Sequence, residues 1–236
     1  METKVNPDKK TVGEWLLDLI FPRFCIGCHK EGSFLCWNCQ SKIIKIKYPT
    51  CIKCQKLAEE GICPRCKSAL PLTKTIIVGY HRDPILKELI HNLKYEGLKE
   101  IAGILGDLLI ERLKQTDFPK NCTIVPVPLH KSRLSTRGFN QSTLIAKQIA
   151  DQFSLNYCEN LLERIKNTKP QISLTYQDRK SNLTSAFRIR PKTKIPNGTI
   201  ILVDDVVTTG ATIGECAKVL RQGGVRRIWL LALAHG

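Results

Sequence analysis

Eight of the eleven cysteines fall into four Cys-x-x-Cys pairs: Cys25/Cys28, Cys36/Cys39, Cys51/Cys54 and Cys63/Cys66. A two-residue gap lets one tight turn present two sulfurs to the same ion, and two such turns close a four-thiolate tetrahedron around zinc. Four turns therefore predict two structural zinc ions. Sequential pairing is simplest, with Cys25, Cys28, Cys36 and Cys39 on one ion and Cys51, Cys54, Cys63 and Cys66 on the other. A crossed or nested pairing uses the same eight ligands, and spacing does not choose between them. Iron–sulfur ligation and redox disulfides are the competing readings, but in a reducing compartment such pairs bind metal far more often than they oxidise. A catalytic zinc is not expected, because four thiolates leave no open position. The metal would replace a core that residues 23–66 are too few to build. Cys122, Cys158 and Cys216 stand singly and read as small core hydrophobes.

The second chemical signal is ILVDDVVTTGAT, residues 201–212. An apolar strand runs into two carboxylates, Asp204 and Asp205, and then into a small-residue turn that opens a helix. Free N–H groups and the positive dipole end at a helix start attract phosphate, and Thr208, Thr209 and Thr212 add hydroxyl donors. Gly210 lets the backbone approach an anion closely. The paired acids can accept hydrogen bonds from vicinal sugar hydroxyls, directly or through a cation. The segment from Val203 to Asp205, with Thr208, Thr209, Gly210, Ala211 and Thr212, is thus a candidate cradle for a ribose bearing a 5′-phosphate. The plainer reading is a threonine-rich helix start whose acids only cap or pair. The glycine signatures of triphosphate-binding and dinucleotide-binding loops are absent from the chain.

These residues need elements to hold them. TIIVGY (75–80), TIVPVP (123–128), TIILVDDVV (199–207) and RRIWLLALA (226–234) have the apolar runs of buried strands. Between them, ILKELIHNLKY, KEIAGILGDLLIERLK, FNQSTLIAKQIADQF and ATIGECAKVLRQ carry helical periodicity, the last stopping at Gly223–Gly224. Alternation of this kind predicts an α/β fold: a mostly parallel open sheet with helices on both faces, plus a small N-terminal zinc domain. We divide the chain into a helical segment at 1–22, a double zinc-ribbon module at 23–70 and the α/β domain at 71–236. KSALPLTK (67–74) is the expected linker. Thr11 to Ile20 reads as a capped amphipathic helix that packs on one of the domains; its acidic polar face (Glu14, Asp18) argues against a membrane surface.

The charge balance is strongly positive: 37 Lys+Arg against 21 Asp+Glu, a net +16. Two four-thiolate zinc sites would lower this to about +12. Such an excess favours phosphate partners without separating a small phosphate from a polymer. Aromatics make up 6% with no ordered stacking ladder, so base-specific single-strand readout has little support. No apolar run approaches a membrane span and no secretory signal is visible, so no membrane insertion and a cytoplasmic location are expected.

The acid-pair segment resembles the 5-phosphoribosyl-1-pyrophosphate (PRPP) motif of type I phosphoribosyltransferases: four apolar residues, two acids, two apolar residues and a Thr/Gly loop. VPVPLHKSRLSTRGFNQS (125–142), with LKYEG (93–97), Arg164, Gln171, Arg179, Asn182 and AFRI (186–189), resembles the ComF family over nearly the whole chain. Members join a cysteine-rich zinc module to a phosphoribosyltransferase-like domain. The resemblance implies that Pro128, Leu129 and His130 form a pyrophosphate loop, with Lys131, Arg133 and Arg137 supplying cations. Asp204 and Asp205 would orient the ribose, and Mg²⁺ would accompany PRPP. Residues 164–190 would include a loop that closes over substrate; Arg164 to Lys194 hold nine Lys/Arg and one acid. His130 reads equally as a structural histidine, and no residue is evident as the base that activates an acceptor. Three functions follow: a phosphoribosyltransferase with an unidentified acceptor, a single-stranded DNA-binding protein of DNA uptake, and a PRPP sensor without turnover. PRPP, single-stranded DNA and competence-machinery proteins are the implied partners, and self-association into a homo-oligomer stays open.

Overall fold

A computed structural model describes residues 22–166 and 185–236. The expected N-terminal helix at 11–20, and Lys169, Gln171, Arg179, Lys180 and Asn182 of the expected closing loop, lie outside the described residues. The chain forms two compact units, one ending at Ile43 and the other running from Ile44 to Gly236. This boundary falls inside the cysteine-rich region rather than at residue 70.

The first unit is a single cysteine turn and its surroundings. Phe24 bridges Glu31, and Cys25 N–H donates to the Lys30 carbonyl at 2.8 Å. His29 takes a left-handed conformation (φ 58°) to close the turn. The short helix α1 (Trp37–Gln40) follows, capped by Cys36. Its buried apolar residues are few: Cys25, Leu35, Cys39 and Ile43.

The second unit opens with the same device. Thr50 bridges Leu57, Cys51 N–H donates to the Lys56 carbonyl at 2.8 Å, and Gln55 takes φ 59° where His29 did. Cys63 then caps the short helix α2 (Pro64–Lys67). From this point the two regions diverge. The strand β1 (Lys74–Tyr80) leads to helices α3 (Pro84–Tyr95) and α4 (Glu100–Lys114) and strand β2 (Cys122–Pro126). Helices α5 (Lys131–Arg137) and α6 (Gln141–Phe153) follow, then β3 (Asn156–Tyr157), β4 (Leu162–Arg164) and β5 (Phe187–Ile189). Strand β6 (Thr199–Val207), helix α7 (Ala211–Gln222) and strand β7 (Arg227–His235) complete the unit.

Five strands form a wholly parallel sheet in the order β1-β7-β6-β2-β3, and β4 pairs antiparallel with β5. The central β6 is buried almost throughout because it has neighbours on both sides and cover on both faces. Helix α4 packs on β1, β7 and α6, and α6 packs on β2 and β6. The opposite face meets α7, but α7 does not cover it alone. Ile46, Ile52, Ile62, Leu70 and Leu72 share one buried apolar cluster with Val125, Leu202, Leu230 and α7 residues Ile213, Ala217 and Leu220. The second cysteine turn therefore occupies sheet surface that a helix would fill in an ordinary doubly wound protein.

Residues 67–74, expected as a linker, are part of this core: Leu70 and Leu72 are 3% and 1% exposed, and Thr73 N–H donates to the Ile228 carbonyl. Two buried leucines, four and six residues after Cys66, are too few to show periodicity, so only their partners reveal the role. Among the described residues no helix is long and apolar enough to cross a membrane.

Candidate functional site

The cysteines assemble in the sequential pairing. The ligand atoms of Cys25, Cys28, Cys36 and Cys39 lie within 4.8 Å of one another, as do those of Cys51, Cys54, Cys63 and Cys66. Cys36 N–H donates to Cys25 Sγ at 3.3 Å, the type of bond that stabilises a thiolate. Burial alone would raise Cys25 and Cys51, but backbone N–H groups (Cys36, Gly27 and Cys28; Cys63, Cys54 and Lys53) bring both down to about 6. Burial, with the neighbouring cysteines, pushes Cys39 and Cys66 up to about 12. Each set is thus prepared for thiolates yet cannot gather four negative charges without a cation at its centre. That is the donor chemistry of a structural zinc site. Cys122 and Cys216 are buried, and Cys158 packs partly buried against the core.

The acid pair sits at the carboxyl end of the central strand, where ligands bind in open parallel sheets. β2 pairs with β6 so that Pro126 stands opposite Val203, and Val127 N–H donates to the Val203 carbonyl at 2.9 Å. The segment Val127–His130 and the segment Asp204–Thr212 therefore leave adjacent strands in the same direction. Asp205 is buried and fully engaged. Lys94 Nζ stands 2.9 Å from its Oδ1, and Gln141 Nε2 donates to its Oδ2 at 2.6 Å. Asp204 is only partly covered; its Oδ1 accepts from Ser142 Oγ at 3.2 Å and from Asp205 N–H at 3.0 Å. Burial and then the Asp205 carboxylate push Asp204 up to about 7, against the pull of Lys94, the Asp205 N–H and the Ser142 hydroxyl. The two acids thus differ: Asp205 holds a cation, and Asp204 is the one poised to change charge near neutrality.

The loop that follows is shaped as expected. Gly210 takes φ 71° at the N-cap of α7, a conformation costly for any residue with a Cβ. Thr208 is exposed, Thr209 half-buried, and Ala211 N–H reaches Thr209 Oγ1 at 3.4 Å. On the neighbouring segment His130 caps α5, its Nδ1 accepting from Ser132 N–H at 3.2 Å and lying 2.8 Å from Ser132 Oγ. Lys131 is exposed and Arg133 half-buried on α5. Arg137 is joined to the acids through Gln141, donating to its Oε1 at 2.6 Å while lying over the Tyr95 ring.

Four further residues near the acids escaped assignment from sequence: His81, Lys94, Gln141 and Ser142. Lys94 of α3 lies in LKYEG, and Gln141 and Ser142 of α6 lie in FNQS, both quoted as family-like, but nothing local marks them as partners of residues more than 60 positions away. Asp83, buried, caps α3 by accepting from Leu86 N–H at 2.9 Å and so fixes the helix that carries Lys94. Burial, then Lys94 and Lys87, holds His81 below the usual imidazole range, with Asp205 acting oppositely. Arg164 of β4 is buried, bridges His130 through the backbone and lies over Phe187. Burial and Arg133 lower its affinity for its proton, while Cys216 and Asp204 raise it.

The site thus belongs to an α/β protein with a carboxylate pair and a Thr/Gly loop at a parallel strand end, preceded by a double zinc ribbon. The family model of the double zinc ribbon domain matches residues 16–67. The chain is 34% identical over 227 residues to Competence protein F of Haemophilus influenzae, covering 89% of this chain and 96% of that one. It is 29% identical over 219 residues to the DNA utilization protein YhgH of Salmonella typhi (84% and 96% covered). With Competence protein ComFC of Streptococcus pneumoniae it shares 26% over 209 residues (87% and 89%). The chain belongs to the ComF family. Among solved structures, an adenine phosphoribosyltransferase from Trypanosoma brucei shows a loose likeness, with TM-score 0.38 and 12% identity over 64% of this chain and 56% of that one.

Proposed function

We propose that the protein binds PRPP with Mg²⁺ at the carboxyl end of β6 and acts in DNA uptake or utilisation, as the names of its relatives suggest. The observation that carries the reading is the juxtaposition of Asp204–Thr212 with Val127–His130 on adjacent parallel strands. In this reading Asp204 and Asp205 accept hydrogen bonds from the ribose hydroxyls, and the Thr208–Thr212 amides and hydroxyls hold the 5′-phosphate. The Pro128–His130 segment, with Lys131, Arg133 and Arg137, faces the pyrophosphate. Mg²⁺ would supply neutralisation of the pyrophosphate charge. If an acceptor attacks C1, that carbon gains a bond to the nucleophile as its bond to pyrophosphate breaks, and the cations stabilise the departing charge. Lys94 and Gln141 hold the Asp205 carboxylate in place. Calorimetry with Mg–PRPP tests binding, and pyrophosphate release over a panel of bases and nucleic acids tests turnover. Binding without release on every acceptor would favour the sensor.

Single-stranded DNA is the second reading, supported by the relatives' names and the +16 charge. Arg188, Arg190, Lys192 and Lys194 are exposed at and beyond β5, although Arg188 is engaged with Glu163 at 2.5 Å. With Lys166, also exposed, they form the described part of this cationic stretch. Contact through phosphates requires an affinity that falls steeply with salt and varies little with sequence. A salt titration of labelled strands, with and without Mg–PRPP, decides whether the two ligands compete. No binding at low salt would remove the nucleic-acid reading.

A further inference from the structure

The second cysteine turn touches the candidate phosphate loop at both of its ends. At the exit, helix α7 starts against Leu70: a Cβ added to Gly210 would lie 3.1 and 3.2 Å from the Leu70 methyls and 3.6 Å from Ile52 Cδ1. One turn further, a Cβ on Gly214 would meet Leu70 Cδ2 at 2.8 Å and the Ala69 carbonyl at 3.4 Å. Two glycines thus let the loop and the helix start sit backbone-close on residues 52 and 69–70. At the entry, buried His235 donates from Nε2 to the Ile52 carbonyl at 3.1 Å. His235 stands opposite Val207, the last residue of β6, and the next residue, Gly236, donates its N–H to the Val207 carbonyl at 2.9 Å.

Both arms lead directly to metal ligands. Ile52 lies between Cys51 and Cys54, and its N–H is held by the Gly61 carbonyl at 3.1 Å. Leu70 N–H and Ala69 N–H both donate to the Cys66 carbonyl, at 2.9 and 3.1 Å. Residues 52 and 70 are thus tied to Cys51 and Cys66 through one or two steps of backbone as well as through the core.

We propose that Ile52 and Leu70 are positioning residues for the Thr208–Thr212 loop, so that the second four-cysteine site and anion binding at that loop are thermodynamically coupled. The anion in question is the 5′-phosphate of PRPP, and that part rests on the function proposed above. A metal that orders Ile52 and Leu70 has already met part of the cost of ordering the loop, and by reciprocity a bound phosphate retards loss of that metal.

The test uses the full-length, zinc-loaded protein. Ile52→Ala and Leu70→Ala are compared with Ile52→Leu, which keeps a δ-methyl, and with exposed Lys53→Ala beside it. His235→Gln, which keeps a donor, stands in if an alanine variant fails to fold, with His235→Ala as its partner. Three quantities are read: zinc content, amide hydrogen exchange over 207–214, and Mg–PRPP affinity. The alanine variants should retain two zincs, exchange faster at 207–214 but not along α3, and bind PRPP between about 5- and 20-fold more weakly. Ile52→Leu, Lys53→Ala and His235→Gln should behave as wild type. Saturating PRPP should slow zinc transfer from wild type to a chelator. Folded alanine variants with unchanged exchange and unchanged affinity would overturn the inference while leaving PRPP binding intact. Faster exchange in those variants, in a protein that shows no PRPP binding even as wild type, would uphold the positioning role and overturn the proposed function.

Discussion

The two cysteine turns have the same local design and opposite structural settings. Each uses a Cys-x-x-Cys turn closed by a left-handed residue and a second pair whose first cysteine caps a four-residue helix. The described part of the first unit has four buried apolar residues, so within it the metal carries much of the structure. The second has been absorbed into a large core, where Ile52, Ile62, Leu70 and Leu72 pack against strands and α7. One motif can thus carry few buried apolar residues among those described or form a structural plate on a sheet, according to the apolar residues next to the ligands.

The largest expected effect tests that contrast directly. Replacing Cys51 and Cys66 by serine should lower the stability of the α/β unit by about 3–5 kcal/mol, since metal loss releases buried Ile52 and Leu70 together. Replacing Cys25 and Cys39 should leave the main denaturation transition within about 1 kcal/mol of wild type. Equal losses from the two double variants in urea melts would break the comparison.

The next effect separates the plate from the site it supports. Asp204→Asn with Asp205→Asn removes both anionic acceptors while nearly preserving shape. Mg–PRPP binding should weaken by roughly 2–4 kcal/mol with two zincs retained, read by calorimetry and metal analysis. Unchanged affinity would mean the pair is architectural. Lys94→Met is smaller in reach but similar in logic. It strips the cation from buried Asp205, and its cost of about 2–3 kcal/mol in stability should shrink when Asp205→Asn is added, because no buried charge is then left unpaired.

The smallest effect is a pH dependence of opposite sign in the two regions. Acid weakens the cysteine sites, because thiolates must shed protons to hold metal. Asp204 works the other way. Its carboxyl is raised in the fold to about 7 from an ordinary 3.8, so between those values the unfolded chain has lost a proton that the folded chain keeps. Stability therefore falls as pH rises through that window and levels off above about 7. Asp204→Asn should remove this slope, worth roughly 1–3 kcal/mol after allowance for screening, as measured by urea midpoints between pH 4 and 8.

Much of this was legible in the chain. The span of β6 and α7 could be read at their ends, because Gly210 and Gly223 mark the helix limits and the strand is apolar on either side of its two acids. The eight ligands were legible because zinc needs fixed spacings. Helix α5 was read only as a source of cations, since a seven-residue polar segment with no buried side chain carries no periodic signal. The strands β3, β4 and β5, of two or three residues each, are too short for alternation to register.

The sequence by itself determined the local chemistry: four metal-binding turns, an acid pair at a strand end, a glycine at the start of the following helix, and alternating strands and helices. These depend on near neighbours along the chain. Only the tertiary structure decided which cysteines share a site, that the second turn covers a face of the sheet, and that Lys94, Gln141 and Ser142 converge on Asp204 and Asp205. Those outcomes depend on strand order and on which apolar surfaces meet, and a parallel sheet draws its neighbours from segments far apart in sequence.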